Sequence, residues 1–328
     1  MHTTKTWLRL TFPTLTMPML ALISCYSPTY SSKPCKDNSG CPAAFFCDTS
    51  RSSTGVVGYC TEGPRTVTDM AVDAGNGLPV LPEVDVAGGM FTIGSETAGT
   101  VGMPRLPESP AHMRTVARYF MDEKEVTVAA YRACVTAGKC LRPHTQADSQ
   151  GMTDTDKCNY DLAGYDNHPV NCVEYEFAKS FCNFMGRRLP TETEWEFAAT
   201  GLTTSSGDKY PWGSAVDTSK ACFNVNTMTC PVGAKVKTLG GFEVTASASG
   251  FYDLAGNVWE WTDSEPCTYV ADGSGRTCSS GDRVVRGGSS FDSAPVILRS
   301  TVRFLNKTGN APKTGWNQRT GFRCARTP

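Results

Sequence analysis

No CxxC pair occurs in a chain that holds fifteen cysteines. The usual zinc-knuckle spacing is therefore missing, and the cysteines read as structural. Histidine is scarce as well. Of four, His112, His144 and His168 stand in no HxxH or HxxxH spacing, which argues against a three-histidine iron site. The chain has no Gly-rich phosphate loop, GxSxG elbow or zinc-protease motif. Excess charge is lacking too: the net charge is -1 and the sequence pI is about 6.4. Nothing in that balance points to nucleic acid or to a polybasic membrane contact. Finally, no cysteine falls between Cys278 and Cys324.

What is present begins with a processing segment, residues 1–25. Lys5 and Arg9 give a positive start, Leu10 to Ile23 is mostly apolar, and Pro13 and Pro18 break it. It is too short and broken for a spanning helix and reads as a signal peptide. Leu22-Ile23-Ser24-Cys25 resembles a bacterial lipobox, with Cys25 as the lipidated residue. Tyr26 follows rather than Asp, which in a Gram-negative cell fits an outer-membrane lipoprotein. The expectation is an exported, lipid-anchored protein of the bacterial envelope. Setting Cys25 aside leaves an even number of cysteines, as a disulfide framework in an oxidising compartment requires.

Residues 26–34 read as a tether. Residues 35–60 carry Cys35, Cys41, Cys47 and Cys60 and read as a small disulfide-rich module, too short to bury a core without crosslinks. It is either a spacer or a docking knob presenting Phe45 and Phe46; its connectivity stays open. Residues 61–84 lack periodicity and read as a linker. From residue 85 the texture changes. VAGGMFTIGS predicts strand, turn and strand. EVTVAAYRACVTAGKC predicts a helix capped by Thr127, with Ala130, Tyr131, Cys134 and Val135 on one face and Gly138 at its end; Cys134 and Cys140 can bridge across the turn. Val173, Phe177, Phe181 and Phe184 form a core stripe closed by Gly186. Thr191 and Glu194 form a capping box, and the carboxylates of Glu192, Glu194 and Glu196 read as solvated or capping rather than catalytic.

Seven motifs then occur in order: GGMFTIGS, EVTVAAYRACV, HPVNCVEYEFAKSFCNFMGRRLPTETEWEFAA, YPWG, GFYDLAGNVWEWTDS, RVVRGGSS and GFRCART. Together, over residues 85–328, they resemble the formylglycine-generating enzyme, or sulfatase-modifying factor, family. The resemblance implies an α+β, loop-rich fold related to C-type lectins. It also implies, in catalytic members, oxidation of a sulfatase cysteine to formylglycine with oxygen and copper. Other members lack the catalytic residues.

In catalytic members GGS is followed by two residues, a cysteine, four residues and a second cysteine, and the thiol pair holds Cu(I). Here Gly287-Gly288-Ser289 places Asp292 and Ile297 at those positions. A carboxylate is a hard ligand and an alkyl group is none, so no copper site is expected and no catalytic residue is assigned. The register is supported by a second family disulfide whose ends map to Ala199 and Val302, lost together. The family's other disulfide maps to Cys182 and Cys324. The remaining cysteines of the domain then pair as Cys134 with Cys140, Cys158 with Cys172, Cys222 with Cys230, and Cys267 with Cys278.

GFYDLAGNVWEW matches the family's calcium loop. The resemblance implies Ca²⁺ ligated by the side chains of Asp253 and Glu260 and the carbonyls of Gly256 and Val258. The alternative is a turn in which Asp253 caps backbone and Glu260 pairs with an arginine. Asn224 and Val225 fit only half of a second family calcium site. Trp259, Arg286 and Ser289 map to the wall or loop of the family groove, each with a structural alternative: burial, an ion pair, a turn. The function expected is therefore a binding or scaffold domain for a peptide, protein or glycan ligand, reaching the membrane through its lipid anchor. The alternative is a formylglycine-generating oxidase or another metal-dependent oxidoreductase on the same scaffold.

Overall fold

Thr127 opens the first helix of the domain, α1 (Val128–Thr136), its Oγ1 accepting a hydrogen bond from the Ala130 amide at 3.1 Å. Gly138, at φ 68°, ends the turn beyond it. Ala130, Tyr131 and Cys134 are buried, so the face read from the sequence is the core face. Helix α2 (Tyr175–Phe184) stacks Phe181 on Tyr131 with ring centroids 5.5 Å apart, and Gly186 at φ 67° follows it. Val173 lies ahead of α2 rather than on it, yet is fully buried in the same cluster. Helix α3 (Glu192–Thr200) starts with the capping box: the Glu194 amide donates to Thr191 Oγ1 at 3.2 Å and the Thr191 amide to Glu194 Oε2 at 2.8 Å.

The coordinates are a computed structural model. It describes the backbone of three N-terminal strands, β1 (Pro34–Cys35), β2 (Phe45–Asp48) and β3 (Gly58–Glu62). It then describes residues 79–96, 106–145, 158–200, 210–225, 228–239, 241–245, 249–271, 277–279, 281–307 and 319–328. The leader, Cys25, residues 26–33 of the tether and the side chains of Phe45, Phe46 and the four clustered cysteines lie outside the described residues. The backbone order β1-β3-β2 places Cys47 opposite Cys60.

The domain's strands are β4 (Glu83–Val86), β5 (Gly89–Ile93), β6 (His112–Val116), β7 (Tyr119–Asp122), β8 (Lys237–Leu239), β9 (Phe242–Val244), β10 (Phe251–Tyr252), β11 (Trp259–Trp261), β12 (Asp282–Arg286), β13 (Phe304–Lys307), β14 (Thr320–Gly321) and β15 (Ala325–Arg326). They form small sheets, β13-β12-β11-β14, β15-β7-β4, β10-β8-β9 and β5-β6, with long loops between them. The fold is α+β and loop-rich, as expected. The strand–turn–strand of VAGGMFTIGS is present, but its strands do not pair with each other: β4 joins β7 and β5 joins β6. All five disulfides expected within the domain are formed, and Cys182–Cys324 ties α2 to the segment before β15.

One expectation is corrected. Glu192 and Glu196 are not solvated; their relative exposures are 6% and 0%. They stand one turn apart on α3 and hold Arg286 between them, with Arg286 Nη2 at 2.7 Å from Glu192 Oε1 and 2.6 Å from Glu196 Oε2. Arg303 completes the cluster, its Nη2 donating to Glu192 Oε2 at 2.8 Å while its guanidinium lies 3.8 Å from the Tyr269 ring centroid. Burial raises the Glu192 pKa, but the Arg286 and Arg303 charges outweigh it and hold the group below the usual carboxylate range. Glu196, sharing one guanidinium with its neighbour, is pushed up by burial. Breaking such a cluster leaves an uncompensated buried charge. Arg286→Met is expected to destabilise the domain by about 3–5 kcal/mol, read as a lowered urea midpoint against the parent chain.

Candidate functional site

Two loops meet beside α3. The first runs from Asp253 to Glu260. Asp253 and Asn257 adopt φ of 58° and 62°, and Gly256 sits at 82°. A Cβ on Gly256 would stand 2.4 Å from the Cys222 carbonyl oxygen, so only glycine fits this close approach. Asp253 Oδ2 accepts from the Gly233 amide at 2.6 Å, whereas the buried Oδ1 has no hydrogen-bond partner. Burial pushes the Asp253 carboxyl up to about 6. Glu260 is fully buried and engaged: Arg323 donates to Oε1 and Oε2 at 2.7 Å each, and Trp195 Nε1 to Oε2 at 2.8 Å.

A residue that sequence reasoning missed completes this environment. Glu125 is buried, accepts from Asn257 Nδ2 at 2.6 Å and from the Val258 amide at 3.3 Å, and is pushed well above its ordinary pKa by burial and by the charges of Asp253 and Glu260. Its only sequence signal is the EVT that opens the α1 motif, which carries no hint of a partner 132 residues away.

Both features of the structural alternative are present, since Asp253 caps backbone and Glu260 pairs with Arg323. Among the described residues no group of three or more His, Cys, Asp or Glu side chains is arranged to hold a metal ion. What a hard cation would answer is the partnerless Asp253 Oδ1 and the surplus of three buried carboxylates over Arg323. Oxygen donors of this kind fit Ca²⁺ when backbone carbonyls complete the shell.

The second loop is Gly287–Asp292. Gly288 takes φ 79°, and a Cβ there would stand 2.9 Å from Ile297 Cγ2. The loop is bound to its neighbours through backbone: the Gly256 amide donates to Gly287 O at 2.9 Å, Ser290 to Asn257 O at 2.9 Å, and Val225 to Ser290 O at 2.8 Å. Asp292 Oδ2 accepts from both the Ser289 amide and the Ser289 hydroxyl, each at 2.8 Å. Burial raises the Asp292 pKa and these two bonds lower it, with burial prevailing. Ile297 packs with Trp259, Val302 and Phe304 in the core.

The expected groove residues are placed together but below the surface. Trp259 has a relative exposure of 2%, and Arg286 and Ser289 of 0%. The expectation that they line a groove is corrected: Arg286 is the centre of the ion cluster, Ser289 closes the turn with Asp292, and Trp259 packs with its ring tilted against that of Phe304. Their structural alternatives hold because a buried guanidinium and hydroxyl need fixed partners, and the protein supplies them.

A loop-rich α+β fold with the GNVWEW and RGGS loops packed side by side defines the class of sulfatase-modifying-factor-like domains. The model of the sulfatase-modifying factor enzyme 1-like domain matches residues 74–328, and the chain belongs to that family. It is 36% identical over 165 residues to a bovine (Bos taurus) protein called inactive C-alpha-formylglycine-generating enzyme 2, covering 48% of this chain and 50% of that one. The chain thus spans about half the length of that relative. It is 28% identical over 290 residues to the formylglycine-generating enzyme of Streptomyces coelicolor, covering 74% and 88%. In fold it is similar to the PvdO structure from Pseudomonas aeruginosa, with a TM-score of 0.55 at 21% identity, covering 82% of this chain and 100% of that one.

Proposed function

We propose that this is a non-catalytic member of the family, exported and lipid-anchored at Cys25, whose domain acts as a binding or scaffold unit for a peptide, protein or glycan. The observation that carries the reading is the replacement of the thiol pair. Asp292 spends its carboxylate oxygen on Ser289, and Ile297 is a core side chain, so neither position offers a soft ligand for Cu(I). The bovine relative, itself called inactive, supports the same reading. The finer parts rest on the sequence: a leader ending in Leu22-Ile23-Ser24-Cys25, followed by Tyr26, fits a lipoprotein of the outer membrane. A calcium ion bound by Asp253, Glu260 and the carbonyls of Gly256 and Val258 is part of the proposal, supported by the partnerless Asp253 Oδ1. Bound there, it would neutralise the buried carboxylates and fix the loop.

The full chain, given copper, reductant, oxygen and a Cys-x-Pro-x-Arg peptide, is expected to leave the peptide mass unchanged beside an active relative. Conversion of the cysteine to formylglycine would overturn the reading in favour of an oxidase with a rebuilt metal site. Calcium at millimolar concentration is expected to raise the melting temperature by several degrees, on the order of the ~4 kcal/mol that saturating ligand contributes, and Asp253→Asn to abolish the rise. An equal rise in both proteins would remove calcium from this loop. In a Gram-negative host, Cys25→Ala is expected to move the protein from the membrane fraction to the soluble periplasm; unchanged fractionation would refute the anchor.

A further inference from the structure

A cavity of about 250 Å³ opens at the N-terminal end of α3, and none of its lining residues belongs to either loop of the candidate site. Arg114, Thr193, Ser264, Glu265, Tyr269 and Ile93 line it, with the Glu192–Arg303 pair at its wall. Its volume is about that of eight waters at their liquid share, room enough for a small amino acid together with several waters.

The guanidiniums near this cavity differ in one respect. Arg286 and Arg303 are neutralised by Glu192 and Glu196, and Arg283 lies within 4.0 Å of Asp263 and 3.9 Å of Glu265. Arg114 has no carboxylate partner among the described residues. Its Nε donates to His112 Nε2 at 3.1 Å, and its Nη2 is buried without a hydrogen-bond partner. A guanidinium only donates, so His112 Nε2 accepts and the ring proton sits on Nδ1, which donates to the Pro110 carbonyl at 3.0 Å. The ring of His112 packs edge-on against Tyr269 with centroids 4.9 Å apart. Arg114 is therefore held in place by a neutral, fixed histidine, with its charge unanswered. A cation so placed is preorganised for an anion.

We infer that this cavity binds a small carboxylate through Arg114. One free guanidinium beside Glu192 and Glu265 favours a single negative charge over a dianion such as phosphate. Glu265, whose side chain is 46% exposed, offers the complementary charge for an ammonium group. The ligand class is thus an α-amino acid, its carboxylate toward Arg114 and its apolar portion against Ile93 and Tyr269. This site does not rest on the non-catalytic reading above and stands whether or not the family chemistry is absent.

The test is saturation-transfer NMR with the full chain, followed by titration calorimetry, using glycine, alanine, acetate, alaninamide and inorganic phosphate as probes. The two amino acids are expected to bind, acetate more weakly, and alaninamide and phosphate at least about tenfold more weakly than alanine, with Arg114→Gln causing a similar loss. No saturation transfer from any carboxylate at millimolar concentration, equal binding of alanine and alaninamide, or unchanged affinity in Arg114→Gln would each overturn the assignment. If Arg114→Gln fails to fold, Thr193→Phe fills the cavity from the first turn of α3. That variant is expected to abolish alanine binding, and retained binding would equally overturn the site.

Discussion

The buried cluster of Glu192, Glu196, Arg286 and Arg303 governs where the rest of the domain sits. Two carboxylates removed from water require cations at fixed positions, and both cations come from distant strands and loops. Arg286 is the last residue of β12, immediately ahead of the Gly287–Asp292 loop, so the ion pair fixes where that loop begins. On the same helix, Trp195 reaches the other way, donating to Glu260, which in turn holds Arg323. One short helix thereby reaches both loops of the candidate site through buried side chains.

The legibility of this arrangement in the sequence divides along a physical line. Local signals were readable: the Thr127 cap, the Thr191–Glu194 box, the glycines that end α1 and α2, and neighbouring cysteines whose bridges close short loops. Interactions across long separations were not. Glu192 and Glu196 are spaced i, i+4 and share a face, which was a visible hint. What they face, Arg286 and Arg303, lies 90 to 111 residues away, and no periodicity encodes that. The same limit hid Glu125, and it turned Trp259, Arg286 and Ser289 from supposed groove residues into buried ones. The family resemblance supplied positions that spacing alone could not, such as Cys182 with Cys324, but a matched position does not carry its exposure with it.

The Gly287–Asp292 loop is held in place without a thiol pair. Its path is set by backbone hydrogen bonds to Gly256, Asn257 and Val225, by the Asn224 amide donating to the Asp292 carbonyl, and by the left-handed glycines, none of which requires a thiol. Asp292 then serves as the acceptor that closes the turn on Ser289, and Ile297 adds apolar area to the core beside Trp259. A carboxylate and an alkyl group thus close the loop at positions that offer no soft ligand.

Binding capacity in such a domain resides where charge is left unanswered rather than where a motif is intact. Arg286, Arg303 and Arg323 are each met by carboxylates and carbonyls on more than one side. Against that background, two of the buried polar atoms without a hydrogen-bond partner bear on the proposed ligands. Asp253 Oδ1 is an acceptor without a donor in a carboxylate-rich interior, and Arg114 Nη2 is a donor without an acceptor beside a cavity. The first is where the proposed cation would bind and the second where the proposed carboxylate would. A buried polar atom without a partner is costly, and at these two, of opposite sign and in separate places, the proposed ligands would offset that cost.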